Sequence, residues 1–317
     1  QKIIISEILN HWLFVAHVCG IRDGEWLAER QHEWVSQSGG VLRVPEQLSA
    51  KRLQEFNQKR GGELVEIFFL ENAEGAWDRI GVEYGKEYCN VIRDALAVFS
   101  ERFRRYWSAA LPRLEHVRSY LSQREDILQR GLRSIEHLSA LSEWSLSFQR
   151  IHWFLVIAGS GPDDIAGWFS HRDTRNALVI EYEGDPATTS GLLEGIAMHE
   201  LIHLGLRLKE GLVEDIAEGA RDVSEVLSVF GMPSERAFEE VLVSSFAPEG
   251  ALSEVVFGKV HGLGDMSTMP AGHSLVSLRR WIATEMRQRA LEYLNGSRPI
   301  DRAYIQEVVA AIKMAPR

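Results

Sequence analysis

The stretch GLLEGIAMHELIHLGLRL, residues 191–208, contains two histidines four positions apart and a glutamate directly after the first. Most of its other residues are apolar, which predicts a helix that is largely buried. Residues four apart lie on one face of an α-helix, so His199 and His203 can direct both imidazoles at one cation. Glu200 lies about 100° around the axis, beside such a cation rather than on it.

These residue types at this spacing are typical of metal-assisted hydrolysis. Zn²⁺ takes imidazole and carboxylate ligands, and it lowers the pKa of a bound water to about 7. A carboxylate in the position of Glu200 can hold that water and accept its proton. An ordinary amphipathic helix is the alternative interpretation, but its polar side chains would need other partners in an apolar setting. We therefore expect Zn²⁺ at His199 and His203.

The run AMHELIHLG, residues 197–205, resembles the active-site helix of the zincin metallopeptidases. The strand-rich block before it is similar to the upper sheet of that family, whose edge strand binds the substrate backbone. The resemblance covers residues 151–247, about a third of the chain. It implies a zincin-like fold and hydrolysis of a peptide or protein substrate by a zinc-activated water, with Glu200 as general base.

A zinc site needs a third protein ligand and an open position for water. The metzincin pattern would place a histidine at position 209, which is Lys209. The resemblance therefore narrows to the glutamate-zincin type, in which a following helix supplies a glutamate. Glu240, in the apolar run EVLVSSFA, is our predicted ligand, and Glu239 stays open as the alternative. The other candidates are Glu210, Glu214, Glu218, Glu225 and Glu235.

The predicted reaction also needs a hydrogen-bond donor for the oxyanion that develops on the substrate. His261 is our candidate, because it lies in a glycine-rich segment, residues 258–274, that could form a loop over the cleft. The alternatives from the same reasoning are His273, Tyr293, Tyr304 and His171.

The order of elements predicts an α+β fold that is mainly helical, with a small mixed sheet. Helix-like apolar spacing covers residues 44–60, 64–73 and 76–141, with a break near Pro112. Residues 151–161 and 166–184 predict strands, with a polar turn at 172–176. After the helix that contains His199 and Glu200, the pattern predicts further helices. We expect a helical N-terminal region over residues 1–149 and a zincin-like catalytic region over residues 150–317.

Composition limits the classes of partner. The chain of 317 residues has a net charge of −10, which argues against nucleic-acid binding and against an anionic membrane surface. No run of about 20 uninterrupted apolar residues predicts a membrane span. The two cysteines, Cys19 and Cys89, suit a reducing compartment, so we expect a cytoplasmic protein, although a cleaved leader would leave no trace.

Other functions stay open from the sequence. One is a non-catalytic regulatory or scaffold protein that retains a zincin fold and its metal; Glu200 argues against it, since a structural site does not need that carboxylate. Another is a zinc hydrolase that acts on a substrate other than a peptide. A helical binding module without metal is the simplest alternative.

Overall fold

A four-stranded mixed sheet lies among helices in the computed structural model of the chain. The structure describes residues 3–21, 34–61, 65–70, 73–140, 151–157, 165–172, 175–189, 191–209, 211–258 and 274–316. The strands are β1 (Ile3–Ile4), β2 (Ile151–Val156), β3 (Ala166–Arg172) and β4 (Arg175–Glu181), in the order β1-β2-β4-β3. β2 runs parallel to β1 and β4, and β3 runs antiparallel to β4.

The helices surround this sheet, and together the elements confirm the predicted α+β class. Before β2 lie α1 (Glu7–Val18), α2 (Val44–Lys59), a 3-10 turn (Glu66–Leu70), α3 (Ala73–Glu83), α4 (Lys86–Gln123) and α5 (Glu125–Leu138). After a 3-10 turn (Pro186–Thr189) come α6 (Leu192–Leu208), α7 (Leu212–Asp222), α8 (Ser224–Leu227) and another 3-10 turn (Ser228–Phe230). The remaining helices are α9 (Ser234–Ser244), α10 (Ala251–Phe257), α11 (Leu275–Glu285), α12 (Arg287–Asn295) and α13 (Arg302–Met314).

The sheet has a buried centre and one half-buried edge. β2 and β4 are rich in apolar residues, and Leu178, Val179 and Ile180 of β4 are all fully buried, as expected for strands covered on both faces. β3 pairs only with β4 among the described strands, and its residues 166–170 are half-buried. β3 is therefore the edge strand on the side of the sheet nearest α6.

The expected break near Pro112 is wrong, because α4 continues through it from Lys86 to Gln123. A proline inside a helix removes one backbone hydrogen bond and crowds the carbonyl four residues earlier. Both Pro112 and Ser108, which carries that carbonyl, are exposed. Water can satisfy the carbonyl there, while the buried face of α4 packs against α1, α2 and α3.

α6 is apolar around most of its circumference and lies in the interior, as predicted. One side packs on β3 and β4, and the other on α5. Two glycines permit the close crossing with α5: a Cβ on Gly131 would lie 2.5 Å from Met198 Sδ, and one on Gly205 would lie 2.2 Å from Ser139 Oγ.

Contacts cross the expected boundary at residues 149 and 150. β1 pairs with β2, α5 packs on α6, and all the buried apolar residues of the described chain except Ala283 form one cluster. The division into two folding units stays a prediction. No helix of the described ranges is both long enough and apolar enough to cross a membrane.

Replacing Gly205 by alanine should destabilise the fold by about 1–3 kcal/mol, because the new methyl group meets the buried Ser139 at the α5–α6 crossing. Gly81→Ala is the matched control: this helical glycine has open space around it, so alanine should be neutral or stabilise by up to about 1 kcal/mol. Urea unfolding of both variants measures the difference. Equal midpoints would contradict the close α5–α6 packing.

Candidate metal centre

The His-Glu helix α6 directs two imidazoles at a glutamate of α9. Within the described ranges, His199, His203 and Glu240 form the one group of three metal-type side chains whose ligand atoms lie within 4.8 Å of one another. His199 Nε2 lies 3.1 Å from Glu240 Oε2 and 3.1 Å from His203 Nε2. His203 Nε2 lies 3.6 Å from Glu240 Oε1. Both histidines are buried, and Glu240 is half-buried.

The other nitrogen of each imidazole is held by an acceptor. His199 Nδ1 lies 2.8 Å from the carbonyl oxygen of Ala247, and His203 Nδ1 lies 2.8 Å from Glu239 Oε1. A carbonyl only accepts, and an ionised carboxylate only accepts, so Nδ1 carries the proton in both rings. In its neutral form, each imidazole then presents its Nε2 lone pair to the centre.

Three acceptor groups, two imidazole Nε2 atoms and one carboxylate, therefore meet at one point. A hydrogen-bond donor or a cation must lie between them. Two Nε2 lone pairs and an ionised carboxylate at about 3 Å repel one another unless positive charge is shared among them. This donor set, two imidazoles and one carboxylate with hydrogen-bonded outer nitrogens, fits Zn²⁺. The identity of the metal stays a prediction.

The carboxylate of Glu239 does not join Glu240 at the centre but supports His203 from outside. Its Oε1 also lies 3.5 Å from Arg207 Nε. The Arg207 guanidinium lies 4.9 Å from the centre of the Phe169 ring, which stacks on His203 at 6.2 Å between ring centres. Such partners fix the tautomer and orientation of a ligand histidine.

A glycine brings the Ala247 carbonyl onto His199. Gly195 lies one helical turn before His199, on the same face of α6. A Cβ at this position would lie 2.8 Å from Pro248 Cβ and 3.3 Å from Pro248 Cα. Only glycine lets the segment after α9 approach α6 this closely, and that approach sets the hydrogen bond from His199 Nδ1 to Ala247.

Glu200 lies between α6 and the edge strand. A Cβ built on Gly167 of β3 would lie 2.8 Å from Glu200 Cγ and 3.1 Å from Ile196 Cγ2, so the strand rests directly on the glutamate. Burial raises the pKa of the Glu200 carboxyl to about 8, although His203 opposes the rise. Its position beside the three converging ligands, and not among them, agrees with the helical spacing.

Electrostatics couple the three central groups. Burial lowers the pKa of His199, and the nearby carboxylate of Glu240 only partly opposes this. Burial would also lower the pKa of His203, but the hydrogen bond with Glu239 and the nearby negative charge of Glu240 outweigh it and raise that pKa to about 9. Burial would raise the pKa of Glu240, yet both histidines hold it well below its usual range. Without metal, a proton on His203 supplies the positive charge that the centre requires.

Within the described ranges, the remaining candidates from the sequence do not join this cluster. His261, our predicted oxyanion donor, lies outside the described residues, as do His273 and Glu210. Tyr293 and Tyr304 are both fully buried, and their hydroxyls bond to Asp301 and Ser245. His171, at the exposed end of β3, bonds through Nδ1 to Asn176 Oδ1 at 2.7 Å. The exposed or distant glutamates Glu214, Glu218, Glu225 and Glu235 are absent from the described cluster.

Sequence reasoning missed Arg279, whose Nη1 lies 3.9 Å from Glu240 Oε2. Its helix carries two adjacent arginines, and nothing in the pattern distinguishes Arg279 from Arg280. It also missed Gly167, for which a signal existed, since an isolated glycine in a strand often marks a close approach of another element.

Comparison with profiles of known protein families, with characterised proteins and with solved structures finds no match for this chain.

Metal binding should release protons. Because the pKa of His203 is raised to about 9, the metal-free protein keeps a proton on that ring at pH 7, and a metal must displace it. Apparent Zn²⁺ affinity should therefore rise about tenfold per pH unit below pH 9 and level off above it, with release of at least about one proton at pH 7. Calorimetry in buffers of different ionisation enthalpy measures the release. A pH-independent affinity between pH 7 and pH 9 would contradict this arrangement.

The two glutamates of α9 should differ in their effect on metal affinity. Glu240→Gln removes a charged ligand and should weaken Zn²⁺ binding by about 100-fold or more, whereas Glu239→Gln keeps an acceptor for His203 and should cost about 10-fold to 100-fold. Glu235→Gln, an exposed position on the same helix, is the control and should change nothing. Competition with a chromophoric chelator measures the affinities. A larger loss of Zn²⁺ affinity for Glu239→Gln than for Glu240→Gln would mean that Glu239 is the ligand and Glu240 the supporting residue.

Proposed function

We propose that this protein is a zinc-dependent metallopeptidase of zincin-like fold. The observation that carries the proposal is the convergence of His199 Nε2, His203 Nε2 and Glu240 with their outer nitrogens already bonded, next to a carboxylate that is not needed as a ligand. A structural site needs no such additional carboxylate, so Glu200 favours catalysis over a scaffold role. Zn²⁺ would supply Lewis acidity, which polarises a carbonyl and acidifies water.

Glu200 would act as the general base and then as the acid. Its carboxylate accepts a proton from the attacking water, whose oxygen adds to the carbonyl carbon of the substrate. The same carboxyl then gives the proton to the amide nitrogen as the carbon–nitrogen bond breaks, so that a carboxylate and an amine leave. Without metal, burial raises the pKa of this carboxyl to about 8, so it is mostly protonated at pH 7. The positive charge of a bound Zn²⁺ would lower that pKa and favour the carboxylate that accepts the proton.

The edge strand β3 would align an extended peptide. It pairs on one side with β4, and its other side carries backbone groups that a peptide strand can bind within the described part of the sheet. Gly167 sets the strand directly against Glu200. A peptide that lengthens the sheet at this edge would therefore pass close to the general base, which supports a peptide over other amide or ester substrates.

Glu200→Gln should leave the metal bound and lower hydrolysis by about 10²- to 10⁴-fold, since the amide cannot accept the proton of the water. Digestion of fluorescently labelled casein, an unfolded protein substrate, measures the activity, and metal analysis measures retained zinc. Glu214→Gln, an exposed position on α7, is the control for the loss of one charge.

Zinc-loaded wild type that hydrolyses neither casein nor an unbiased peptide mixture would support a regulatory or scaffold protein instead. Hydrolysis unchanged in Glu200→Gln would remove Glu200 from its proposed role while leaving the metal site intact.

A further inference from the structure

Arg279 enters the metal centre from α11 with its side chain fixed at two points. Its Nε donates to Ser244 Oγ at 2.6 Å, and its Nη2 lies 3.4 Å from Glu249 Oε2. Ser244 is itself held on α9, where its hydroxyl donates to the carbonyl of Glu240 at 2.8 Å. An arginine anchored in this way loses little further conformational freedom when it binds a ligand.

The third nitrogen of Arg279 is directed at the centre. Nη1 lies 3.9 Å from Glu240 Oε2, which is beyond hydrogen-bond distance, and it donates no hydrogen bond to any described residue. A guanidinium has five N–H donors, and the anchors engage one on Nε and one on Nη2. Two donors on Nη1 therefore remain, and the side chain is 17% exposed.

The charge of Arg279 acts on more than Glu240. Its guanidinium also interacts electrostatically with His199 and with Glu200, the proposed base.

We propose that Arg279 is a catalytic residue whose Nη1 donates a hydrogen bond to the carbonyl oxygen of the substrate as negative charge develops on it, an inference that rests on the proposed peptidase function. Preorganised donors at such a developing oxyanion are worth most in a site with little water. Tyr293 and Tyr304, two of the donors that the sequence offered, are buried with their hydroxyls engaged elsewhere, whereas Arg279 Nη1 keeps its donors beside the three converging side chains.

The first test measures anion binding without turnover. The Zn²⁺ is replaced by Co²⁺, and inorganic phosphate, a tetrahedral anion, is titrated while the visible absorption of the cobalt is followed. Arg279→Gln should bind phosphate about 10- to 100-fold more weakly than the wild type, the effect of one lost charge-assisted hydrogen bond. Arg287→Gln, which removes an exposed guanidinium paired with Glu254, is the matched control and should bind phosphate normally.

A role confined to holding Glu240 in place predicts a different pattern. In that case Arg279→Gln would lose Co²⁺ and Zn²⁺ affinity to the extent of Glu240→Gln, and this result would overturn the proposal. We expect metal affinity within about threefold of wild type, because the imidazoles and Glu240 remain. Glu249→Ala, which releases one anchor but keeps the guanidinium, should give a smaller loss of phosphate affinity than Arg279→Gln.

Measurements of hydrolysis distinguish a failure of this inference from a failure of the proposed function. Arg279→Gln should lower kcat on labelled casein by about 10²-fold with little change in KM, and Arg279→Lys should restore part of it. Wild-type kcat or wild-type phosphate affinity in a folded Arg279→Gln protein would overturn the inference alone. Absence of both zinc and hydrolysis in the wild type would overturn the proposed function and this inference with it.

Discussion

The repulsion among three converging acceptors determines the chemistry of this protein. Both imidazoles have their Nδ1–H groups bonded, to Ala247 and to Glu239, so both offer lone pairs at Nε2. Glu240 adds a carboxylate whose low pKa keeps it ionised. Positive charge must occupy the space between them, and a proton on His203 or a bound metal can provide it. Metal binding and protonation are therefore competing states of one buried centre.

The surrounding fold holds this centre in place by close packing. α6 crosses α5 at Gly131 and Gly205, and it meets the segment after α9 at Gly195. Each glycine removes a side chain that would separate two elements, and larger residues there would shift ligands by tenths of an ångström or more. The α9 helix then places Glu239 and Glu240, adjacent in sequence, on two different atoms of His203. One helix thus supplies both Glu240, a member of the cluster, and Glu239, which supports His203.

The sequence predicts the parts of the site that follow from local periodicity. The spacing of His199 and His203 gives one shared target, and the apolar face of α9 singles out the pair Glu239 and Glu240. The strand block and the α+β class follow from alternation and order in the same way. Which of the two glutamates joins the two imidazoles depends on how α9 crosses α6, a long-range packing relation that no local pattern contains. Arg279 is less predictable still, because it lies on a helix about 40 positions later along the chain.

Pro112 shows the reverse error: a strong local signal for a helix break is overridden where the proline faces solvent.

The most direct test of the central claim is X-ray absorption at the zinc edge on protein purified with one equivalent of zinc. Two imidazole nitrogens and oxygen ligands at about 2.0–2.1 Å, with no sulfur, are the coordination that His199, His203, Glu240 and a water would give. The same measurement on Glu240→Gln should show one fewer carboxylate oxygen or no retained zinc. Failure of the wild type to hold stoichiometric zinc, or a shell with sulfur or without paired imidazoles, would contradict the assignment of this centre.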